Sequence, residues 1–198
     1  MDKKYNRAWI LGLSETGLSA LRSLGRAKIP VTGVDWKSTE FGCFSRFGVF
    51  ELSPSPVEEP QALLEWFIQR GRQNQTPGIL LPAADAYAAF VSKYRDALAP
   101  FFLFALPSVE IMDALLDKYS HARLAEEMDE KIPYTALIDE NTDLRAVSNK
   151  LRFPAYVKAR HTHLWNLVYN KKGFKVNTQD EFIERCGQII HNKLTAVA

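Results

Sequence analysis

Two lysines, Lys118 and Lys158, stand in the surroundings that point most clearly to chemistry. Lys118 follows Asp117, an aspartate suited to cap a helix, so Lys118 is predicted to lie in the first helical turn. A cation there opposes the helix dipole, and an anion such as phosphate would reverse that penalty by meeting the ammonium group and free backbone N–H groups. Lys158 ends the strand-like run PAYVK, where an alternating strand could equally point it into solvent.

A glycine-bearing turn near the N-terminus is a second candidate site. Gly12 and Gly17 enclose Ser14 and Thr16 between a predicted strand and a predicted helix, where free N–H groups favour an anion. The turn lacks the second glycine of the G-x-G-x-x-G fingerprint, although Asp35 stands where a dinucleotide-binding protein places its ribose-binding acid. A site for another small anion, a tight turn without a ligand and an NAD site all remain open here.

Asp85 and Arg46 are further candidates for binding a substrate. Asp85 directly follows the predicted strand ILLP, at the edge where open parallel sheets bind ligands, but it could equally complement a helix dipole. Arg46 lies in the aromatic loop FGCFSRF, where it could hold a carboxylate with two N–H groups or cover the sheet edge.

The segment 161–175 contains basic and histidine residues. Lys171, Lys172 and Gly173 are predicted to form the turn of a hairpin, which could close over a polyphosphate or be an ordinary solvated turn. His161 and His163 would share one face of an extended chain, as two metal ligands do. Because no third ligand is near them in the sequence, no metal site is predicted.

Strands and helices alternate through the first part of the chain, which must position these residues. Apolar runs at 8–13, 31–36, 49–53, 78–82 and 101–106 are separated by helix-length segments, including one over 83–98. This order predicts a doubly wound parallel α/β sheet over residues 1–116. Residues 117–198 predict a small α+β lobe with a helix over 117–131 and a closing helix that Thr178 caps.

Composition and charge exclude several classes of protein. The 198 residues are 46% hydrophobic and 24% charged, a globular composition, and the net charge of +2 is too balanced for a surface that wraps nucleic acid. Cys43 and Cys186 form no zinc or redox motif and are predicted to be free thiols. The N-terminus is no signal peptide and the run FFLFAL is too short to span a membrane, so we expect a cytoplasmic protein without nucleic-acid or membrane partners.

Together these segments resemble the N-terminal portion of ATP-grasp enzymes, especially carboxylate–amine ligases. The resemblance covers nearly the whole chain and is carried by WILGLSETGLSALRSLG, by LPSVEIMDALLDK and by the strand–helix–strand segment that ends in YVKAR. It implies that residues 1–116 are a Rossmann-like pre-ATP-grasp domain and that residues 117–198 are the first lobe of an ATP-grasp domain.

The resemblance implies a role for each candidate site. The family's two phosphate-binding lysines fall on Lys118 and Lys158, the second also close to adenine, and its covering loop falls on 161–175 with Lys172 and Gly173. The substrate side falls on Ser14, Thr16, Gly17, Arg46 and Asp85, listed here in chain order. Such enzymes transfer a phosphoryl group from ATP to a carboxylate, and an amine then attacks the acyl phosphate, with Mg²⁺ helping to neutralise the phosphates.

Three departures from the family pattern limit what the resemblance implies. Ala159 stands where the family often has proline, and Gly173 is the one glycine of the covering loop. The second lobe, which supplies the Mg²⁺ ligands and an acidic adenine-binding segment, is not contained in the 198 residues. The chain by itself is therefore expected to be inactive, with its Mg²⁺ ligands elsewhere.

Two other functions compete with the ligase hypothesis. A non-catalytic nucleotide-binding or protein-interaction module would have an exposed sheet edge that a second copy or a partner protein could cover. An NAD-linked oxidoreductase would show quenching of tryptophan fluorescence by NADH and not by ATP.

Overall fold

The chain forms two compact units, Met1–Met112 and Asp113–Ala198. The computed structural model describes residues 5–160, 165, 168, 169 and 171–198. Each unit contains its own sheet and its own hydrophobic core.

The first unit contains a five-stranded parallel sheet in the order β3-β2-β1-β4-β5. Its strands are β1 (Ala8–Leu11), β2 (Val31–Asp35), β3 (Val49–Leu52), β4 (Gly78–Pro82) and β5 (Phe102–Leu103). The connecting helices are α1 (Glu15–Arg26), α2 (Pro60–Gln73), α3 (Asp85–Lys93) and α4 (Arg95–Leu98), with α5 (Val109–Leu116) after the last strand. The predicted parallel α/β class is confirmed.

Aromatic residues fill the core between this sheet and its helices. Trp9 of β1 packs edge-to-face against Phe102 of β5, with ring centroids 5.9 Å apart, and against Phe67 of α2 at 6.3 Å. All four residues of β1 are buried, as expected for a central parallel strand covered on both faces. The strand order reverses between β1 and β4, so a crevice is expected at the carboxyl ends of those two strands.

The prediction of one helix over 83–98 is wrong in one respect, because the helix is interrupted. The backbone of Tyr94 leaves the helical region at φ −103° and ψ 23°, and α4 begins at the next residue. The Tyr94 ring packs on Phe90, 5.0 Å away between centroids, while Leu98 beyond the interruption is completely buried.

The second unit contains a four-stranded antiparallel sheet in the order β6-β9-β7-β8. Its elements are α6 (Lys118–Glu127), β6 (Leu137–Ile138), α7 (Leu144–Ser148), β7 (Ala155–Ala159), β8 (Gly173–Val176), α8 (Gln179–His191) and β9 (Ala196–Val197). Phe182, Cys186 and Ile189 form one face of α8 and are completely buried in the core. The predicted small α+β class is confirmed, and Thr178 caps α8 by accepting a hydrogen bond from the Glu181 N–H.

The predicted hairpin of LWNLVYN with KKGFKVN is wrong, because β8 pairs with β7 instead. Trp165 lies in a helical turn, and its carbonyl oxygen accepts hydrogen bonds from the N–H groups of Val168 and Tyr169. The buried indole stacks on Tyr169 and donates from Nε1 to the Lys171 carbonyl oxygen at 2.7 Å, which stabilises the turn. His161 and His163 lie outside the described residues.

None of the helices in the described part of the chain combines the length and the apolar character needed to cross a membrane.

Candidate functional site

Lys118 and Lys158 line one cavity of about 980 Å³ in the second unit, named here the lysine cavity. Lys118 is the first residue of α6, and Lys158 lies in β7. The two candidate residues are distant in sequence, and the fold of the second unit brings them to the same space.

Regular periodicity explains why both lysines face the lysine cavity. Lys118, His121, Ala122 and Ala125 follow the i, i+3, i+4, i+7 spacing that places residues on one face of a helix, and all four line the cavity. In β7, Tyr156 and Lys158 alternate with Val157 and Ala159. Tyr156 and Lys158 line the cavity, whereas Val157 and Ala159 lie on the opposite face of the strand and are buried in the core.

Basic and aromatic side chains dominate the polar lining of the lysine cavity. Besides the two lysines, the lining includes His121, Lys150 and Arg152, and the described lining residues include no aspartate or glutamate. Tyr134 and Tyr156 add flat aromatic surface, and the Lys158 Nζ lies 5.6 Å from the Tyr156 ring centroid. A concave surface with charges of one sign concentrates its potential and attracts ligands of the opposite sign. The cavity is therefore suited to an anion that also has an aromatic or apolar part.

Asp117 and Arg160 connect the two elements that carry the lysines. Asp117 caps α6 as predicted, since its Oδ1 accepts hydrogen bonds from the N–H groups of Tyr119 and Ser120 at 2.9 and 3.3 Å. Its Oδ2 accepts a hydrogen bond from Arg160 Nε at 2.8 Å and forms an ion pair with Nη2, which lies 2.8 Å away. Partial burial opposes ionisation of Asp117, but the Arg160 and backbone hydrogen bonds outweigh it, so the pKa of the carboxyl is lowered.

Gly173 lies beside Lys158, whereas Lys172 is an exposed residue outside the lining of the lysine cavity. Gly173 pairs with Lys158 in the β7–β8 register, and a Cβ at position 173 would overlap the Val157 carbonyl oxygen. Only glycine allows this close approach of the two strands. Much of the proposed covering loop, at 161–164, 166, 167 and 170, lies outside the described residues.

In the first unit, Ser14, Thr16 and Gly17 lie at the same sheet edge as Asp85. Gly12 adopts φ +92°, and a Cβ on it would come within 2.6 Å of the Ala84 Cβ, next to Asp85 at the start of α3. Ser14 precedes α1, and its side chain makes no capping hydrogen bond. The turn after β1 and the turn after β4 therefore meet at the carboxyl ends of neighbouring strands, where open α/β sheets bind ligands.

Asp35 has a structural role that counts against an NAD site. It is 4% exposed, and its Oδ2 accepts a hydrogen bond from the Leu13 N–H at 2.6 Å while its Oδ1 accepts from the Lys37 N–H at 2.9 Å. Both carboxylate oxygens therefore stabilise the turns after β1 and β2 through backbone hydrogen bonds, and they are not directed toward a ribose at the surface.

Arg46 lies apart from the turn that contains Ser14 and Thr16. Its guanidinium carbon is 5.2 Å from the centroid of the Phe47 ring, and Phe47 packs against Gly25 in the last turn of α1. Gly17 and Gly25 are separated by about 12 Å along the helix axis at 1.5 Å per residue. Arg46 is therefore near the opposite end of α1 from the other substrate-side candidates.

Burial favours the neutral forms of one tyrosine and of both cysteines. Burial raises the pKa of Tyr87, whose hydroxyl lies 3.0 Å from the Ser53 Oγ, well above its usual range. Burial also raises the pKa of the Cys43 thiol, with a contribution from Asp35, and raises that of Cys186 to about 12. Neither free cysteine has the lowered pKa of a reactive thiolate. Within the described ranges, no group of three or more His, Cys, Asp and Glu side chains is arranged to hold a metal ion.

Comparison with solved structures finds the same fold in the N-terminal parts of two biosynthetic enzymes and of a carboxylase domain. The L-amino acid ligase from Bacillus licheniformis superposes with a TM-score of 0.68 at 14% identity, covering 98% of this chain and 44% of the ligase. The N5-carboxyaminoimidazole synthetase from Staphylococcus aureus, solved as a complex with ADP, gives a TM-score of 0.71 at 15% identity, with 98% and 48% covered. The biotin carboxylase domain of the Hydrogenobacter thermophilus 2-oxoglutarate carboxylase gives 0.59 at 9% identity, with 98% and 44% covered.

These similarities confirm the predicted resemblance at the level of the fold. The solved structures are a ligase, a synthetase and a carboxylase domain, and this chain spans a little under half the length of each. No protein-family model and no curated protein sequence matches the chain.

Proposed function

We propose that this chain binds ATP in the lysine cavity as the N-terminal part of a carboxylate–amine ligase. The observation that carries the proposal is that Lys118 and Lys158 line one cationic cavity in a fold shared with ATP-grasp ligases. Phosphates would meet both ammonium groups, while the Tyr119 and Ser120 N–H groups at the start of α6 stay bonded to Asp117. Tyr134 and Tyr156 offer the aromatic surface against which a nucleobase would pack.

The reaction proposed for the complete ligase has two steps. A carboxylate oxygen attacks the γ-phosphorus of ATP, the bond to the β,γ-bridging oxygen breaks, and ADP leaves. An amine then attacks the acyl carbon of the resulting acyl phosphate, and inorganic phosphate leaves with the carbon–oxygen bond pair. Lys118 and Lys158 would neutralise phosphate charge during the first step, the function expected of cations in phosphoryl transfer.

The first unit would bind the substrate carboxylate or amine. Ser14, Thr16, Gly17 and Asp85 share one sheet edge, so we keep them as the substrate-side candidates. Arg46 remains a candidate on the resemblance alone, since its position over Phe47 separates it from these residues. The Mg²⁺ that such chemistry requires stays a prediction, with its ligands expected outside these residues.

Titration with a fluorescent ATP analogue tests the nucleotide site directly. We expect Lys118→Gln and Lys158→Gln each to weaken binding by about tenfold, because each removes a charge-assisted hydrogen bond to phosphate. Lys93→Gln is the matched control, since Lys93 is exposed at the end of α3 in the first unit and should leave the affinity unchanged. Equal affinity of all three variants and the parent chain would contradict the proposal.

A preparation that also contains the second lobe separates the ligase proposal from its main competitor, because the chain by itself is expected to be inactive. ADP release that depends on an added carboxylate would then support ligase chemistry. Binding of ATP by this chain with no release of ADP in that preparation, under any carboxylate tested, would favour a nucleotide-binding module for this chain. Quenching of tryptophan fluorescence by NADH but not by ATP would favour the oxidoreductase alternative.

A further inference from the structure

We propose that the Asp117–Arg160 ion pair positions Lys118 and Lys158 relative to each other for phosphate binding. Neither Asp117 nor Arg160 lines the lysine cavity, so neither is proposed to touch the ligand. The inference rests on the proposed function, because it assigns a role to a pair beside the two lysines that would hold ATP.

The two carboxylate oxygens of Asp117 form hydrogen bonds to different parts of the chain, one near each lysine. Oδ1 accepts from backbone N–H groups in the first turn of α6, and Oδ2 accepts from the Nε–H of Arg160, the residue that follows β7. Lys118 is the residue after Asp117, and Lys158 in β7 lies two positions before Arg160. The carboxylate therefore fixes the start of the helix to the end of the strand within a few bonds of both lysines.

Packing alone gives α6 little attachment. The helix has no buried residue, and even Tyr119 and Leu124 remain partly exposed. By contrast, β7 is held in the sheet by β8 and β9 and contributes the buried Val157 and Ala159 to the core. A helix without a buried face depends on specific polar contacts for its position, and the Asp117–Arg160 bonds are such contacts.

The ion pair is also more enclosed than an ordinary surface pair. The Asp117 and Arg160 side chains are 16% and 28% exposed, whereas the Arg123–Glu126 pair on the same helix is 56% and 38% exposed. A partly buried ion pair that also has a charge-assisted hydrogen bond loses less of its strength to solvent than an exposed pair does. Arg123–Glu126 therefore supplies a matched control.

The direction in which Asp117→Asn changes the affinity for ATP distinguishes a positioning role from a purely electrostatic effect. Asp117→Asn removes a negative charge near a cavity that would bind a polyanion, so electrostatics by itself predicts tighter ATP binding. Asparagine is a good helix cap, so α6 keeps its first turn while the bond to Arg160 is weakened. Positioning predicts the opposite change, a loss of affinity of about three- to tenfold.

Three further variants complete the experiment with the fluorescent ATP analogue. Arg160→Lys keeps the charge but loses the planar pair of donors, and we expect a similar loss of affinity. The double variant Asp117→Asn/Arg160→Lys should bind no more weakly than the weaker single variant, because both changes break one contact. Arg123→Gln should bind like the parent chain. Circular dichroism and the unfolding midpoint establish that each variant is folded.

The possible results separate this inference from the proposed function. Tighter or unchanged ATP binding by Asp117→Asn and Arg160→Lys, with binding lost in Lys118→Gln, would overturn the positioning role and leave the ATP site intact. Failure of the parent chain to bind ATP would overturn the proposed function. If Asp117→Asn fails to fold, Arg160→Lys decides the question, because it removes no charge and does not alter the helix cap.

Discussion

Single glycine residues set the shape of the turn that follows β1 at the carboxyl edge of the parallel sheet. A Cβ on Gly17 would overlap the carbonyl oxygen of Gly12, which is itself fixed at φ +92°. Because the Gly12 oxygen belongs to the backbone and a Cβ is fixed to its own Cα, no side-chain rotation can relieve the clash. We expect Gly17→Ala to lower the free energy of unfolding by about 1–3 kcal/mol, the range for overpacking in a close-packed interior, as measured by urea denaturation.

Gly187 provides the control for that experiment. It lies in α8, is exposed, and a Cβ at this position would have no neighbour within 4 Å. Alanine is the better helix former, so Gly187→Ala should raise the free energy of unfolding by about 0.5–1 kcal/mol. A Gly17→Ala variant as stable as the parent chain, beside the expected gain in Gly187→Ala, would show that the turn moves to accommodate the methyl group and would contradict the prediction.

At this residue scale, local sequence predicted some site residues and not others. Lys118 and Asp117 were identifiable because a helix cap and its first turn are encoded within a few positions. His121, Lys150 and Arg152 were not predicted to share a site with them. Lys150 and Arg152 belong to a separate segment, and only the three-dimensional packing of the second unit brings them to the lysine cavity. His121 carried a usable signal, since it lies three positions after Lys118 and so on the same helix face.

At the scale of secondary-structure elements, the stability of the α6 attachment should depend on pH through Asp117. Its lowered pKa means that the ionised carboxylate is favoured in the folded state, so this contribution is present above the ordinary value of 3.8 and is lost as the pH falls through the folded-state value. We expect Asp117→Asn to reduce the free energy of unfolding by about 1–2 kcal/mol at pH 7. The difference between the variant and the parent chain should shrink as the pH is lowered below the ordinary value of 3.8 and the carboxylate is protonated.

Comparing the two proteins across pH cancels the contribution of the other carboxylates. Glu126→Gln is the control, because it removes the exposed partner of Arg123 on the same helix and should change stability little at any pH. A difference between Asp117→Asn and the parent chain that stays constant from pH 7 until the acid unfolding of both proteins would contradict the link between the Asp117 carboxylate and stability.

The type of an element is predictable from sequence where the hydrophobic period is long and clear. Prediction fails where contacts between residues distant in sequence determine the secondary structure. The strands of the parallel sheet were marked by buried apolar runs such as AWIL in β1. The short apolar run around Trp165 fits the helical period and the strand period equally well. The hydrogen bond from the Trp165 indole to the Lys171 carbonyl oxygen favours the helical turn. The two-residue strands β6 and β9 pair with each other, and β9 also pairs with β7. No local sequence pattern near 196–197 predicts this pairing.

At the scale of the whole molecule, net charge says little about the ligand. The chain carries 25 basic and 23 acidic residues, yet the described lining of the lysine cavity is basic without aspartate or glutamate. Screening confines electrostatic attraction to about 8–10 Å at physiological salt, so the local arrangement decides which ligand binds. A nearly neutral protein can therefore hold a strongly charged nucleotide while it has no general affinity for polyanions.

This local charge predicts how affinity should change along the series AMP, ADP and ATP. If Lys118 and Lys158 hold phosphates, each added phosphate gains contact with a cation, and we expect affinity to rise by about threefold or more per phosphate at low salt. Raising NaCl from 50 to 300 mM should weaken ATP more than AMP, because a larger share of ATP binding is electrostatic. Competition against the fluorescent ATP analogue at both salt concentrations measures this. In the Lys118→Gln/Lys158→Gln double variant the three nucleotides should bind alike. A parent chain that binds AMP as tightly as ATP would show that the cavity recognises the nucleoside and that its lysines serve another purpose.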